Sequence, residues 1–146
     1  MRFTLKAKTH SLRGKIKLPG SKSISNRALI INALAARSFE IQNLSKADDT
    51  MVLKKALERN DLITDVGPAG TAMRFLTAYY AITPGVHVLT GSERMKQRPI
   101  SILVEALRKL GARITYLEKD GYPPIHIEGR RLNGGTIDID GNVSSQ

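Results

Sequence analysis

The stretch Leu18-Pro19-Gly20-Ser21-Lys22-Ser23-Ile24-Ser25-Asn26-Arg27 decides how this chain folds and what it can hold. Leu18 ends an alternating apolar and charged run, Pro19-Gly20 is a turn, and the serines that follow open a helix. Backbone N–H groups at a helix start have no intrahelical partner, and the helix dipole adds partial positive charge there. Lys22 places an ammonium at that start and Arg27 a planar guanidinium one turn further on. Ser23 and Arg27 stand four residues apart and share a helix face. The arrangement suits a phosphate or a carboxylate. It is equally the pattern of a capped helix with two solvated cations.

Upstream, Arg2 to Leu18 reads as extended structure, with Phe3 and Leu5 and then Ile16 and Leu18 alternating with polar residues around a turn at 11–14. Downstream, a helix is expected over about 23–36, capped by Ser23 or Ser25. A short strand follows over 39–44. Asp48-Asp49-Thr50 opens a second helix whose apolar face carries Val52, Leu53, Ala56 and Leu57. Gly67-Pro68-Ala69-Gly70-Thr71 is a tight loop feeding a third helix over 71–81. A strand spans 86–90, and a polar, basic loop spans 91–98. Pro99 takes the first position of a fourth helix, with Ile100, Leu103, Val104, Leu107 and Leu110 on its buried face and Gly111 as its C-cap. Strands over 113–117, 125–128 and 136–140 follow, separated by Asp120-Gly121 and Gly134-Gly135. The class is mixed α/β, with helices between strands.

The bulk composition fits that class. The 146 residues are 41% hydrophobic and 25% charged, a globular mixture. No apolar run reaches the roughly 20 residues a membrane span needs, and the first residues lack the apolar centre of a secretory signal. With no cysteine there is no disulfide, thiolate metal site or thiol nucleophile. The net charge of +10, from 23 Lys and Arg against 13 Asp and Glu, selects anionic partners. A small basic nucleic-acid-binding module is the alternative this charge allows. Against it, aromatics are only 5% with no Trp, so stacking platforms for bases are sparse.

Two further segments repeat the anion-binding theme. Gly67-Pro68-Ala69-Gly70-Thr71-Ala72-Met73-Arg74 is again a glycine loop running into a helix with a cation in its first turns. Gly70 lets a ligand approach the backbone. The loop lacks the Gly-Lys-Ser/Thr of a nucleotide-binding P-loop, and an ordinary connection has the same look. Glu93-Arg94-Met95-Lys96-Gln97-Arg98-Pro99 sets three cations at a helix start, where they oppose the dipole unless an anion binds. His10, His87 and His126 lack metal-ligand spacing. Asp48 and Asp49 could form an acid pair but read better as helix caps, and Asp138 and Asp140 read as solvent-facing strand residues.

In this order, Leu18 to Arg27, Asp48-Asp49-Thr50, Ala69 to Arg74, Leu89 to Pro99, Tyr122-Pro123-Pro124 and Asp140 to Gln146 resemble 5-enolpyruvylshikimate-3-phosphate (EPSP) synthase over almost the whole chain. The related UDP-N-acetylglucosamine enolpyruvyl transferase pairs Lys with Asn where this chain has Lys22-Ser23. The resemblance implies an enolpyruvyl transferase fold built from βαβαββ units, here about two of three. It implies attack of the 5-hydroxyl of shikimate 3-phosphate on C2 of phosphoenolpyruvate, then loss of phosphate, with no cofactor and no metal. Carried over by position, Lys22, Ser23, Arg27, Ser144, Ser145 and Gln146 would bind shikimate 3-phosphate. Lys22, Gly70, Arg98 and Gln146 would bind phosphoenolpyruvate, with Arg74 and Arg94 as supporting charges.

The match has departures. Pro68 stands where the family usually has Asn, and Phe75 where many members have Pro. The stretch between Asp49 and Gly67 is short by about a hairpin's length. The family's acid–base carboxylates belong to a part not present in this sequence, so no catalytic residue is expected here and the chain alone is expected not to turn over. Residues 1–20 are expected to pair with that absent domain, and 21–146 to form a partial substrate-binding domain. The run ending Ser144-Ser145-Gln146, with neither cap nor charged tail, reads as the cut end of a longer, cytoplasmic and monomeric enzyme that binds neither nucleic acid nor membrane.

Overall fold

The computed structural model describes residues 3, 4, 6, 11, 13–59 and 61–139. The elements are α1 (Lys22–Leu34), α2 (Asp48–Arg59), β1 (Ile63–Asp65), α3 (Gly70–Ile82), β2 (Gly85–Thr90), α4 (Glu93–Lys96), α5 (Ser101–Lys109), β3 (Arg113–Tyr116) and β4 (Ile125–Gly129). The mixed α/β class holds.

Four strands form one sheet in the order β1-β2-β4-β3. β1 and β2 run parallel, which requires a crossover, and α3 supplies it. The β2–β4 and β3–β4 pairs are antiparallel. The run β1-α3-β2-α5-β3-β4 is thus one complete βαβαββ unit. α1 and α2 precede this unit, and among the described residues no strand accompanies them.

α3 is the centre of the core. Met73, Leu76 and Tyr80 are fully buried on it, against Leu53 of α2, Leu89 of β2 and Ile125 and Ile127 of β4. Burying side chains of this size removes about 1.5–3 kcal/mol of apolar exposure each. Met95 and Val104 close the same core from α4 and α5.

Several expectations need correction. The cap of α1 is Ser21, whose Oγ accepts from the Ile24 N–H at 3.4 Å. Ser25 is buried and accepts from the Ser45 N–H at 2.9 Å, so it ties down the following loop instead of capping. α1 stops at Leu34 because Ala36 and Arg37 take positive φ. The expected strand over 39–44 is bends and turns, with Asn43 at φ 53°. β1 was not expected, because its Ile63-Thr64-Asp65 is too short to show a period.

Pro99 is not the first helical residue, since α5 begins at Ser101 with Ile100 before it. The preceding basic segment is itself helical, as α4. Arg94 and Lys96 sit in its last turn, where cations favour the dipole, so the expected conflict with it does not arise at these two. No strand forms over 136–139, where Gly134 and Gly135 at positive φ turn the chain away, and Asp140 lies outside the described residues. Residues 13–18 have no ladder partner, and Ile16 and Leu18 are exposed. The partner expected for them is a domain outside this sequence, and an alternating pattern with no strand beside it stays out of a sheet.

His87 is buried in β2 and stacks on Tyr80, with ring centroids 4.1 Å apart. Tyr80 in turn shares a hydrogen bond with Thr64 of β1 at 3.2 Å. Neither His87 nitrogen makes a hydrogen bond of good geometry. Burial therefore pushes its pKa below the ordinary imidazole range, and the Thr83 backbone favours the proton too weakly to offset this. The folded state then binds this proton less readily than the unfolded chain. Its contribution to stability is intact above the unfolded value of about pH 6.5 and is lost as pH falls from there through the lowered folded value. Urea unfolding midpoints across that window are expected to fall less for His87→Gln than for the parent chain. Equal acid sensitivity in both would refute the role.

Candidate functional site

Three helix starts meet at one open cavity of about 860 Å³. Lys22 and Ser23 begin α1, Gly70 and Thr71 begin α3, and Ser101 begins α5, and all five line it. The positive ends of their dipoles therefore border a common volume. The local sequence explains each start. Pro19-Gly20 brings the chain out of its extended run before Ser21 caps α1. A Cβ on Gly20 would overlap the Asn43 carbonyl oxygen, so only glycine lets the turn pack against that loop. Gly67, at φ 53°, turns the chain from β1 toward α3, and Asp65 Oδ1 accepts from its N–H at 2.7 Å. Pro99 and Ile100 lead into α5, where the Ile100 N–H donates to the Gly121 carbonyl at 2.8 Å.

Four cations line the cavity: Lys22, Arg27, Arg74 and Arg98. No carboxylate and no histidine is among the lining residues. Lys22 lies 3.6 Å from Asp49 Oδ2, just outside the lining. Arg27 Nη1 donates to the Ser23 carbonyl at 3.2 Å, which holds the two on one face as their spacing predicts. Neither Arg27 nor Arg98 forms an ion pair with a carboxylate among the described residues. Arg74 donates to the Pro99 carbonyl at 3.4 Å. Its pKa is lowered by burial and then by the neighbouring charge of Arg98. Two guanidiniums held in mutual repulsion are an arrangement that a bound anion relieves.

Gly70 and Arg98 are in close register. A Cβ built on Gly70 would stand 2.5 Å from Arg98 Nη1 and 3.0 Å from its Cζ. The guanidinium thus lies over the bare backbone at the first turn of α3.

Of the residues singled out from sequence, Lys22, Ser23, Arg27, Gly70, Arg74 and Arg98 are brought together here. Arg94 is exposed on α4 and is not among the lining residues. Lys96 is spent on ion pairs with Glu93 at 3.4 Å and Glu118 at 3.2 Å. Ser144, Ser145 and Gln146 lie outside the described residues. Sequence reasoning missed Asn26, which is fully buried, lines the cavity, and has no hydrogen-bond partner for either amide atom. It missed Gln97 and Ser101 as well. The run Ser23-Ile24-Ser25-Asn26-Arg27 held a clue to Asn26, since positions 23, 26 and 27 fall on one helix face.

Asp49 also departs from expectation. It sits in the first turn of α2 but reaches across to α3, where Oδ1 accepts from the Thr71 N–H at 3.4 Å.

The sequence matches the EPSP synthase (3-phosphoshikimate 1-carboxyvinyltransferase) family over residues 6–59 and 51–146. It is 56% identical over 146 positions to a 3-phosphoshikimate 1-carboxyvinyltransferase of Bacteroides fragilis strain YCH46, covering all of this chain and 35% of that protein. It is 45% identical over 161 positions to the protein of the same name from Sulfurovum sp. strain NBC37-1, covering 92% of this chain and 38% of the other. The chain therefore spans a little over a third of the length of these relatives. The second alignment needs more positions than this chain has residues, whereas the first needs none extra. The two family segments also overlap at 51–59, in the stretch read from sequence as shortened. An EPSP synthase structure from Acinetobacter baumannii superposes with a TM-score of 0.75 at 23% identity, over 90% of this chain and 35% of that one. At that identity, the likeness speaks for the fold.

Proposed function

This chain belongs to the EPSP synthase family, and on that premise we propose that it forms the anion-holding part of an enzyme joining phosphoenolpyruvate to shikimate 3-phosphate. The observation that carries the proposal is the convergence of Lys22, Arg27, Arg74 and Arg98, with three helix starts, on one cavity that no carboxylate lines. Both substrates are multiply charged anions, and the transfer leaves inorganic phosphate. A site for two such anions must supply positive charge without neutralising it internally.

In the proposed arrangement Lys22, Ser23 and Arg27 hold shikimate 3-phosphate, completed by Ser144, Ser145 and Gln146. Gly70 and Arg98 take phosphoenolpyruvate, with Lys22 and Gln146 shared between the two and Arg74 supporting. Holding both reactants in one cavity supplies proximity, the effect that turns an encounter between two anions into an intramolecular step. The 5-hydroxyl adds to C2 of phosphoenolpyruvate, and the C2–O bond to phosphate then breaks. The hydroxyl proton must leave and a proton must be delivered to and later removed from C3. No group lining this cavity is a carboxylate or imidazole suited to that traffic. We therefore place the acid–base groups outside these residues, and the reaction calls for no metal or organic cofactor. The full protein, in this reading, is a cytoplasmic monomer acting on small molecules, not on nucleic acid.

Calorimetric titration of the chain with shikimate 3-phosphate tests this. Lys22→Ala is expected to weaken binding about tenfold or more, the worth of a charge-assisted hydrogen bond. Phosphate release from the two substrates is expected to stay at the Lys22→Ala level. Random DNA bound more tightly than ~10⁻⁶ M at moderate salt would replace the reading with the nucleic-acid one, whereas a melting temperature that shikimate 3-phosphate leaves unmoved would make this a structural domain without a ligand.

A further inference from the structure

α3 lacks a cap of its own. The residue before it is Ala69, whose side chain has no acceptor, and no side-chain bond satisfies its first turn from within. Asp49 supplies one from another helix, with Oδ1 accepting from the Thr71 N–H at 3.4 Å. The other oxygen of the same carboxylate, Oδ2, lies 3.6 Å from the Lys22 ammonium of α1. One side chain on α2 therefore touches both the helix start that carries Gly70 and Thr71 and the cation at the other start. The two are 48 residues apart in sequence, counting from Lys22 to Gly70. The Lys22 and Asp49 side chains are partly exposed, so the charge pair alone is worth little. A carboxylate at a helix N-terminus is the stronger contact, since it meets both an unpaired donor and the dipole.

We propose that Asp49 is a positioning residue, a cap in trans that sets the α3 start, and with it Gly70 and Arg98, relative to Lys22. It need not touch a substrate. It fixes the spacing between the two sides of the cavity, so that anions bound on either side meet at the geometry transfer requires. This rests on the substrate reading above.

The test separates capping from charge. Asp49→Asn keeps an oxygen for the Thr71 N–H but loses the charge beside Lys22, whereas Asp49→Ala loses both. Both remove the same negative charge from the cavity rim, so any general gain in anion attraction cancels between them. Phosphoenolpyruvate is expected to bind the Ala variant about fivefold more weakly than the Asn variant, the size of a lost N-cap. The Thr71 amide proton resonance is expected to move in Asp49→Ala and to stay near its parent position in Asp49→Asn, with spectral dispersion confirming that both variants fold. Equal affinities for the two variants, or an unmoved Thr71 amide in Asp49→Ala, would overturn the proposal. A parent chain that binds neither substrate would sink the substrate assignment instead, and the Thr71 resonance alone would then decide whether the clamp exists.

Discussion

Gly129→Ala is expected to destabilise the chain by about 3 kcal/mol or to prevent folding, at the upper end of what overpacking costs. Gly129 ends β4 opposite Gly85 of β2. A Cβ there would overlap the carbonyl oxygen of Thr83 and press on that of Tyr80. These are backbone atoms at the end of α3, and they cannot swing aside as a side chain does. The close approach has a purpose. The last carbonyls of a helix lack intrahelical donors, and the Arg130 N–H next to Gly129 donates to the Ala81 carbonyl at 3.0 Å. The bare glycine lets the strand end come near enough to close the core helix. Adding one methyl must separate α3 from β4 and open the core around Tyr80 and Ile127. Urea unfolding measures it, and a loss under about 0.5 kcal/mol, the ordinary surface range, would refute the account. Gly67→Ala, whose Cβ meets nothing within 4 Å, isolates the smaller cost of positive φ alone.

Nothing in His126-Ile127-Glu128-Gly129-Arg130 marks Gly129 as different from a loop glycine, and this shows where sequence stops being legible. Periodicity and turn residues place α2, α3, α5, β2, β3 and β4 within a few residues, because each is long enough to show its buried face. β1 has three residues and only one of them, Thr64, faces the core. Its existence depends on pairing with β2, a contact that local pattern cannot contain. The strands expected at 39–44 and 136–140 do not form over the described residues for the converse reason. Their alternation is real, but no neighbouring strand among the described residues takes it up.

The site was legible in kind and not in assembly. Helix-start cations are visible in the letters because glycine, serine and basic residues at fixed offsets have a local physical meaning. That α1, α3 and α5 aim at one volume is a tertiary fact. So is the division among the basic residues of 94–98. Arg98 lines the cavity, Lys96 pairs with Glu118 across 22 residues, and Arg94 faces solvent. The letters make the three look alike. Asp49 was legible as a cap and misassigned to its own helix, since a cap in trans leaves no spacing to read.

Gly70→Ala is expected to weaken phosphoenolpyruvate binding by about 10- to 100-fold, the range for losing one or two charge-assisted hydrogen bonds. Stability should hold or rise slightly, since alanine is favoured over glycine within a helix by about 1 kcal/mol. The new methyl meets Arg98 Nη1 at 2.5 Å and Cζ at 3.0 Å, closer than ordinary contact allows. A guanidinium on a flexible stem can move, so the fold absorbs the change, but the donors leave the place they held over the α3 start. Arg74 does not take their place, because it is held to the Pro99 carbonyl. The two effects should therefore separate, with a melting temperature near the parent's and affinity lost. Arg98→Ala should lose affinity to a similar extent. The double variant should lose little more than either single one, because both changes remove the same donors from the same place. Additive losses in that cycle, or a Gly70→Ala chain that binds as the parent does, would mean that Arg98 does not act through its position over Gly70.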